Sequence, residues 1–134
     1  MKKILIVNAN YYDNISKKLV FSSKNLFKEK KFSLSLINVP GIFEIPFVIT
    51  KNLKKFDAFI ALGCIIKGKT DHYYYISQAV TSGLMNLSIA SKKPIGFGIL
   101  TCNNIQQAKE RALVNKKNKG KEVAAGIISI IKSS

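Results

Sequence analysis

The sequence predicts an α/β protein, a single-domain, three-layer α/β/α sandwich built on a four-stranded parallel sheet. Three observations carry this prediction. Apolar runs of strand length alternate strictly with segments whose apolar residues return at helical spacing. The strongest runs are apolar at consecutive positions, as expected of strands buried on both faces. The 134 residues suffice for one core and not for two, so residues 1–134 read as one domain.

Each element follows from its own pattern. Ile4 to Val7 is a short apolar strand, and Ile15, Leu19 and Leu26 then space out an amphipathic helix ending near Phe27. Ser33 to Val39 is a strand stopped by Pro40-Gly41. A second helix is expected from Glu44 through Ile49 and Leu53, with Pro46 in its first turn, where a missing N–H costs little. Asp57 to Ile66 is the strongest strand of the chain. Gly68-Lys69-Thr70-Asp71 then supplies a loop with capping residues. Ile76, Ala79, Val80, Gly83, Leu84 and Leu87 define a long core-facing helix. Pro94 to Leu100 is the fourth strand, Thr101 to Asn104 its polar exit, and Ile105 to Ala112 a short helix. Val123, Ile127, Ile130 and Ile131 mark the last helix, after a loop at Asn115 to Lys119.

Composition narrows the function. The formal charge of +15 invites an anionic partner. Almost all of it is lysine, however, assigned to helical solvent faces at Lys17, Lys18, Lys24, Lys28, Lys51, Lys54 and Lys55. Nucleic-acid readers concentrate arginine and lysine on one recognition element, so no nucleic-acid partner is expected. No apolar run reaches membrane-spanning length and Met1-Lys2-Lys3 opens no signal peptide, which predicts a cytoplasmic protein without a membrane partner. Cys64 and Cys102 form no CxxC pair and read as reduced thiols, with no metal site.

Ligands of parallel α/β sheets bind beyond the carboxyl ends of the strands, which directs attention to the loops that follow them. Gly68-Lys69-Thr70 joins a strand to a helix, so its backbone N–H groups and the helix dipole suit a phosphate; a simple capping turn is the competing account. His72, the only histidine, opens the following helix. Histidine is the side-chain type that gives and takes protons near neutral pH. Tyr11 and Phe97 are assigned to the ends of two strands, where an aromatic face can stack on a planar heterocycle, although core packing accounts equally well for Phe97. Glu44, at a helix start, can accept hydrogen bonds from sugar-like hydroxyls. Arg111, the only arginine, offers a fork of donors matched to phosphate.

The segments Val39-Pro40-Gly41-Ile42-Phe43-Glu44-Ile45-Pro46, Ala61 to His72 (ALGCIIKGKTDH), Phe97 to Thr101 (FGILT), Glu110-Arg111-Ala112 and Asn118-Lys119-Gly120 occur in one order over nearly the whole chain. Together they resemble the successive motifs of the lumazine synthases. The resemblance implies a flavodoxin-like sheet and an enzyme of riboflavin biosynthesis without cofactor or metal. That enzyme condenses 5-amino-6-(D-ribitylamino)uracil with 3,4-dihydroxy-2-butanone 4-phosphate, giving 6,7-dimethyl-8-ribityllumazine, phosphate and water. It implies that Tyr11 stacks on the pyrimidine, Ile42, Phe43 and Glu44 bind the ribityl chain, and Cys64, Ile65 and Ile66 offer backbone groups to the uracil. Lys69 and Thr70 would hold the phosphate with Arg111, Phe97 would close the ring pocket, and His72 would move protons. It further implies a homopentamer in which Phe97, Arg111 and Lys119 cross to the neighbouring site, and a riboflavin synthase as pathway partner. In some members twelve pentamers form a shell, aided by an N-terminal strand; here the first strand starts almost at Met1, which favours a free pentamer.

The chain departs from the family pattern at Tyr11, commonly phenylalanine, at Lys69, often acidic or small, and at Leu113 to Lys117, usually rich in glycine and alanine. Two rival functions remain for such a fold: a non-catalytic flavin- or nucleotide-binding flavodoxin-like module, and a basic nucleic-acid-binding domain.

Overall fold

The structure is a computed structural model describing residues 1–133. Four strands, β1 (Lys3–Ala9), β2 (Ser33–Val39), β3 (Ala58–Ile66) and β4 (Ile95–Cys102), alternate with helices α1 (Asp13–Glu29), α2 (Ile45–Lys51), α3 (His72–Ser91), α4 (Ile105–Arg111) and α5 (Lys119–Ser133). All pairings are parallel, and the sheet order is β2-β1-β3-β4. This is the order of a flavodoxin-like sheet, in which the winding reverses between β1 and β3.

The central strands bury both faces, which is why their sequences run apolar without alternation. Ile4, Ile6, Ile60 and Leu62 meet α1 and α5 through Leu19, Phe27, Ala124 and Ile127. Leu5, Val7, Phe59 and Ala61 meet α2 and α3 through Ile45, Ile49, Val80 and Leu84. The α1–α5 contact is close: a Cβ on Gly120 would stand 2.2 Å from the Leu19 carbonyl oxygen. Only glycine admits that approach, and Ser23 Oγ fixes it by donating to Gly120 O at 2.7 Å.

Several boundaries differ from the sequence-based expectation. Ile42–Glu44 forms a separate turn of 3-10 helix, and α2 starts at Ile45 and ends at Lys51, short of Leu53. Asn52 caps the shortened helix by donating from Nδ2 to Val48 O at 2.7 Å, which places Lys54 and Lys55 in a turn and not on a helical face. β4 runs on through Thr101 and Cys102, because β3 supplies partners for both at Ile65 and Ile66.

The largest difference lies in α3. Of the six positions expected to face the core, only Val80 and Leu84 are buried; Ile76, Gly83 and Leu87 are half-buried and Ala79 is exposed. In α5 the buried stripe is Ala124, Ile127 and Ile128, while Ile130 is exposed. Helical periodicity identifies a face and leaves open what covers it.

Candidate active site

Three loops meet at the carboxyl edge of the sheet, at the β1–β3 reversal. The first follows β1. Asn8 is buried there, its Nδ2 donating to Ser16 Oγ at 3.3 Å and Asn38 Oδ1 at 3.1 Å, which ties β1 to α1 and β2. Tyr11 follows, 76% exposed, with its ring centroid 5.0 Å from that of Tyr12 at an interplanar angle of 79°. The Tyr12 carbonyl accepts the N–H groups of Ile15 and Ser16, each at 3.0 Å, so the tyrosine pair sits on the first turn of α1.

The second loop follows β2. Gly41 and the Ile42–Glu44 turn fold so that a Cβ on Gly41 would lie 2.8 Å from Glu44 Oε1. The carboxylate occupies the space that any larger residue at position 41 would need. Ile42 is buried beneath this turn, and Phe43 is exposed beside it.

The third loop follows β3. Cys64 is buried, Ile65 and Ile66 are half-buried, and Gly68, Lys69, Thr70, Asp71 and His72 are exposed. Asp71 stands at the start of α3 but makes no capping hydrogen bond. Thr70 takes that role: its Oγ1 accepts the His72 backbone N–H at 3.3 Å. The histidine and the candidate anion loop are thus joined directly.

These loops enclose a cleft of about 670 Å³, within the size range of small-molecule sites, roughly 300–1,000 Å³. Tyr11, Ile42, Phe43, Glu44, Cys64, Ile65, Ile66 and His72 all line it, as do three residues that sequence reasoning passed over: Tyr12, Gly41 and Ile76. Gly41 and Ile76 lie inside motifs already singled out, whereas Tyr12 was masked by its neighbour Tyr11. The aromatic rings supply a stacking surface, Glu44 an acceptor, and His72 a proton-transfer group. Burial pushes the Cys64 thiol up to about 12, with Cys102 adding to the effect and Arg111 opposing it. Cys64 is therefore a neutral wall of the cleft and no thiolate nucleophile. Among the described residues no group of three His, Cys, Asp or Glu side chains is arranged to hold a metal ion.

Phe97, Arg111 and Lys119 do not line the cleft. Phe97 is the third residue of β4 and pairs with Ala61, so its assignment to a strand end is corrected. The position opposite Ile65 is Thr101, and four residues of strand put Phe97 about 13 Å back along the sheet from that level. Arg111 ends α4 with Nη1 3.9 Å from Cys102 Sγ. It shares a separate cavity of about 200 Å³ with Lys117, Lys119 and Glu122, where Lys119 Nζ pairs with Glu122 Oε1 at 3.7 Å. Lys69 and Thr70 are not among the lining residues either; they lie in the exposed loop leading to His72, which does line the cleft.

No helix among the described residues is long and apolar enough to cross a membrane. The family model for 6,7-dimethyl-8-ribityllumazine synthase matches residues 1–134. A relative of that name from Sulfurovum sp. (strain NBC37-1) is 42% identical over 135 residues, covering 97% of this chain and 86% of the relative. One from Buchnera aphidicola subsp. Baizongia pistaciae is 43% identical over 136 residues, with 97% and 86% covered. One from Campylobacter jejuni (strain RM1221) is 40% identical over 137 residues, with 98% and 89% covered. With the strand order already that of a flavodoxin-like sheet, these matches over nearly the full length make the chain a member of the 6,7-dimethyl-8-ribityllumazine synthase family.

Proposed function

We propose that this cleft condenses 5-amino-6-(D-ribitylamino)uracil with 3,4-dihydroxy-2-butanone 4-phosphate, releasing phosphate and water to form 6,7-dimethyl-8-ribityllumazine. One observation carries the reading: an imidazole-bearing helix start is hydrogen-bonded to the loop suited to phosphate, on the rim of an aromatic-walled cleft.

The uracil stacks on Tyr11 and meets the backbone groups of Cys64, Ile65 and Ile66. Ile42, Phe43 and Glu44 hold the ribityl chain, with the Glu44 carboxylate accepting from its hydroxyls. Lys69 and Thr70 hold the phosphate of the ketone, leaving the substrate amine beside its carbonyl carbon. The amine attacks that carbon and water leaves to form the imine; phosphate is then eliminated to give an enol, which tautomerises to a second carbonyl, and the ribityl-bearing nitrogen attacks that carbon, whose oxygen leaves as water. Each of these steps moves a proton near His72. Both substrates are already activated, so orientation supplies much of the rate and the imidazole adds the proton transfers.

We further propose a homopentamer acting in the cytoplasm, with Phe97, Arg111 and Lys119 reaching the cleft of a neighbouring subunit. Their separation from their own cleft supports this arrangement, as does the apolar surface left on α2 and α3: Phe47, Tyr75 and Ile89 are 67%, 66% and 68% exposed. Surfaces of this kind are normally covered by a partner.

Mixing the purified protein with both substrates tests the activity, since turnover releases phosphate and a fluorescent lumazine. His72→Ala is expected to slow turnover by about 10- to 10⁴-fold without abolishing it. A protein that bound the lumazine but never formed it would instead be a binding module.

A further inference from the structure

Tyr12 lines the cleft with a polar side chain to which the substrate reading gives no role. It is half-buried, lines the cleft beside Cys64, and stands edge-to-face with Tyr11. Its backbone is fixed, because its carbonyl receives two N–H groups from the first turn of α1. Its hydroxyl makes no hydrogen bond to any described residue of the chain. Burial raises its pKa, with Tyr11 and then Cys64 adding to the shift, so the phenol remains protonated and able to donate.

Geometry limits what this donor can meet. The two rings are nearly perpendicular, at 79°, so a heterocycle lying flat on the exposed Tyr11 stands almost at a right angle to Tyr12. Tyr11 is then the platform and Tyr12 the inner wall of an aromatic corner. With no partner among the described residues of the chain, the Tyr12 hydroxyl is free to donate to an acceptor on a ring lying against Tyr11.

We propose that Tyr12 is a specificity-determining residue of this cleft: its phenolic O–H donates to a ring carbonyl on the edge of the heterocycle stacked against Tyr11. This rests on the substrate reading given above. It divides two functions between the members of the tyrosine pair. Tyr11 accepts any flat ring, and Tyr12 selects rings with an acceptor on the inward edge.

Tyr12→Phe removes only the oxygen. Binding of 6,7-dimethyl-8-ribityllumazine, measured by calorimetry without turnover, should weaken by about 3- to 10-fold, the size of one net hydrogen bond. The KM for the ribitylaminouracil should rise to the same extent, while the KM for the phosphorylated ketone and kcat stay within about two-fold. A ribitylated pteridine lacking the ring carbonyls should bind wild type and Tyr12→Phe equally, and wild type should bind it more weakly than the lumazine by at least the factor that the variant loses with the lumazine. That last measurement needs no variant to fold. Equal lumazine binding by wild type and Tyr12→Phe would overturn the role of Tyr12 and leave the substrate reading intact. A wild-type protein that neither bound nor formed the lumazine would overturn both.

Discussion

The two faces of the sheet carry similar strand sequences but are finished in different ways. On one face α1, α4 and α5 close a core in which Leu19, Phe27, Ala108 and Ile127 are buried, and α1 and α5 approach to the point where only glycine fits. On the other face α3 buries Val80 and Leu84 and leaves Tyr74, Tyr75, Met85 and Ile89 exposed, with Phe43 and Phe47 beside it. One face is complete within a single chain. The other carries enough apolar surface for a second interface, and it borders the cleft, where α3 begins at His72.

If the open face is a subunit boundary, charge placed there should disrupt assembly while sparing the fold. Phe47→Glu combined with Tyr75→Glu is expected to yield smaller species by sedimentation, to keep a cooperative unfolding transition, and to lower turnover on the order of 100-fold or more. Burying an unpaired carboxylate costs several kcal/mol, which shifts an association equilibrium by at least that factor. Unchanged assembly in this variant would remove the distinction between the faces.

Arg111 tests the boundary from the other side, since it belongs to the closed layer yet is assigned to a neighbour's substrate. Arg111→Ala should raise the KM of the phosphorylated ketone about 10- to 100-fold and that of the uracil less than about two-fold, the scale of a lost charge-assisted hydrogen bond. Equal effects on both substrates would place the guanidinium elsewhere.

Within the closed face, Gly120→Ala drives a methyl into the Leu19 backbone and should destabilise by about 1–3 kcal/mol in chemical denaturation. Gly126 lies on the same helix, and a Cβ there would meet no atom within 4 Å. Its replacement by alanine should stabilise by up to about 1 kcal/mol. A similar response at both sites would show that α1 and α5 are less tightly fitted than their geometry indicates.

A further effect within this core concerns pH. Because burial holds the Cys64 thiol protonated up to about 12 against an ordinary value of 9.0, the folded chain keeps a proton that the unfolded chain releases first. That contribution is complete below pH 9.0 and is lost as pH rises toward 12, at about 1 kcal/mol per pH unit. Cys64→Ala should flatten this alkaline loss in a pH series of unfolding midpoints; a series parallel to wild type would mean that the thiol titrates normally.

The strands and most of the cleft were legible in the sequence because both are written in consecutive residues. β3 reads as a buried run that ends in Cys64, Ile65 and Ile66, and one short loop carries the chain from there to His72. What escaped depended on a second element. Phe97 looked terminal because strand position is set by pairing with Ala61 and not by the apolar run itself. The exposure of α3 was hidden because apolar residues surround that helix, and spacing cannot say which of them a single chain covers. Tyr12 entered the cleft only through the turn that anchors it to α1.

The ladder between β3 and β4 continues unbroken to Ile66 and Cys102, and the Lys67 N–H prolongs it by donating to Cys102 O at 2.9 Å. Amides along Cys64 to Ile66 should therefore exchange with solvent among the slowest in the molecule, and those of the adjoining Gly68-to-Asp71 bend among the fastest. On the proposed substrate reading, recognition of the ring is built into the sheet, whereas recognition of the anion rests on the exposed bend beyond it. The latter could be rewritten for a different leaving group without disturbing the former.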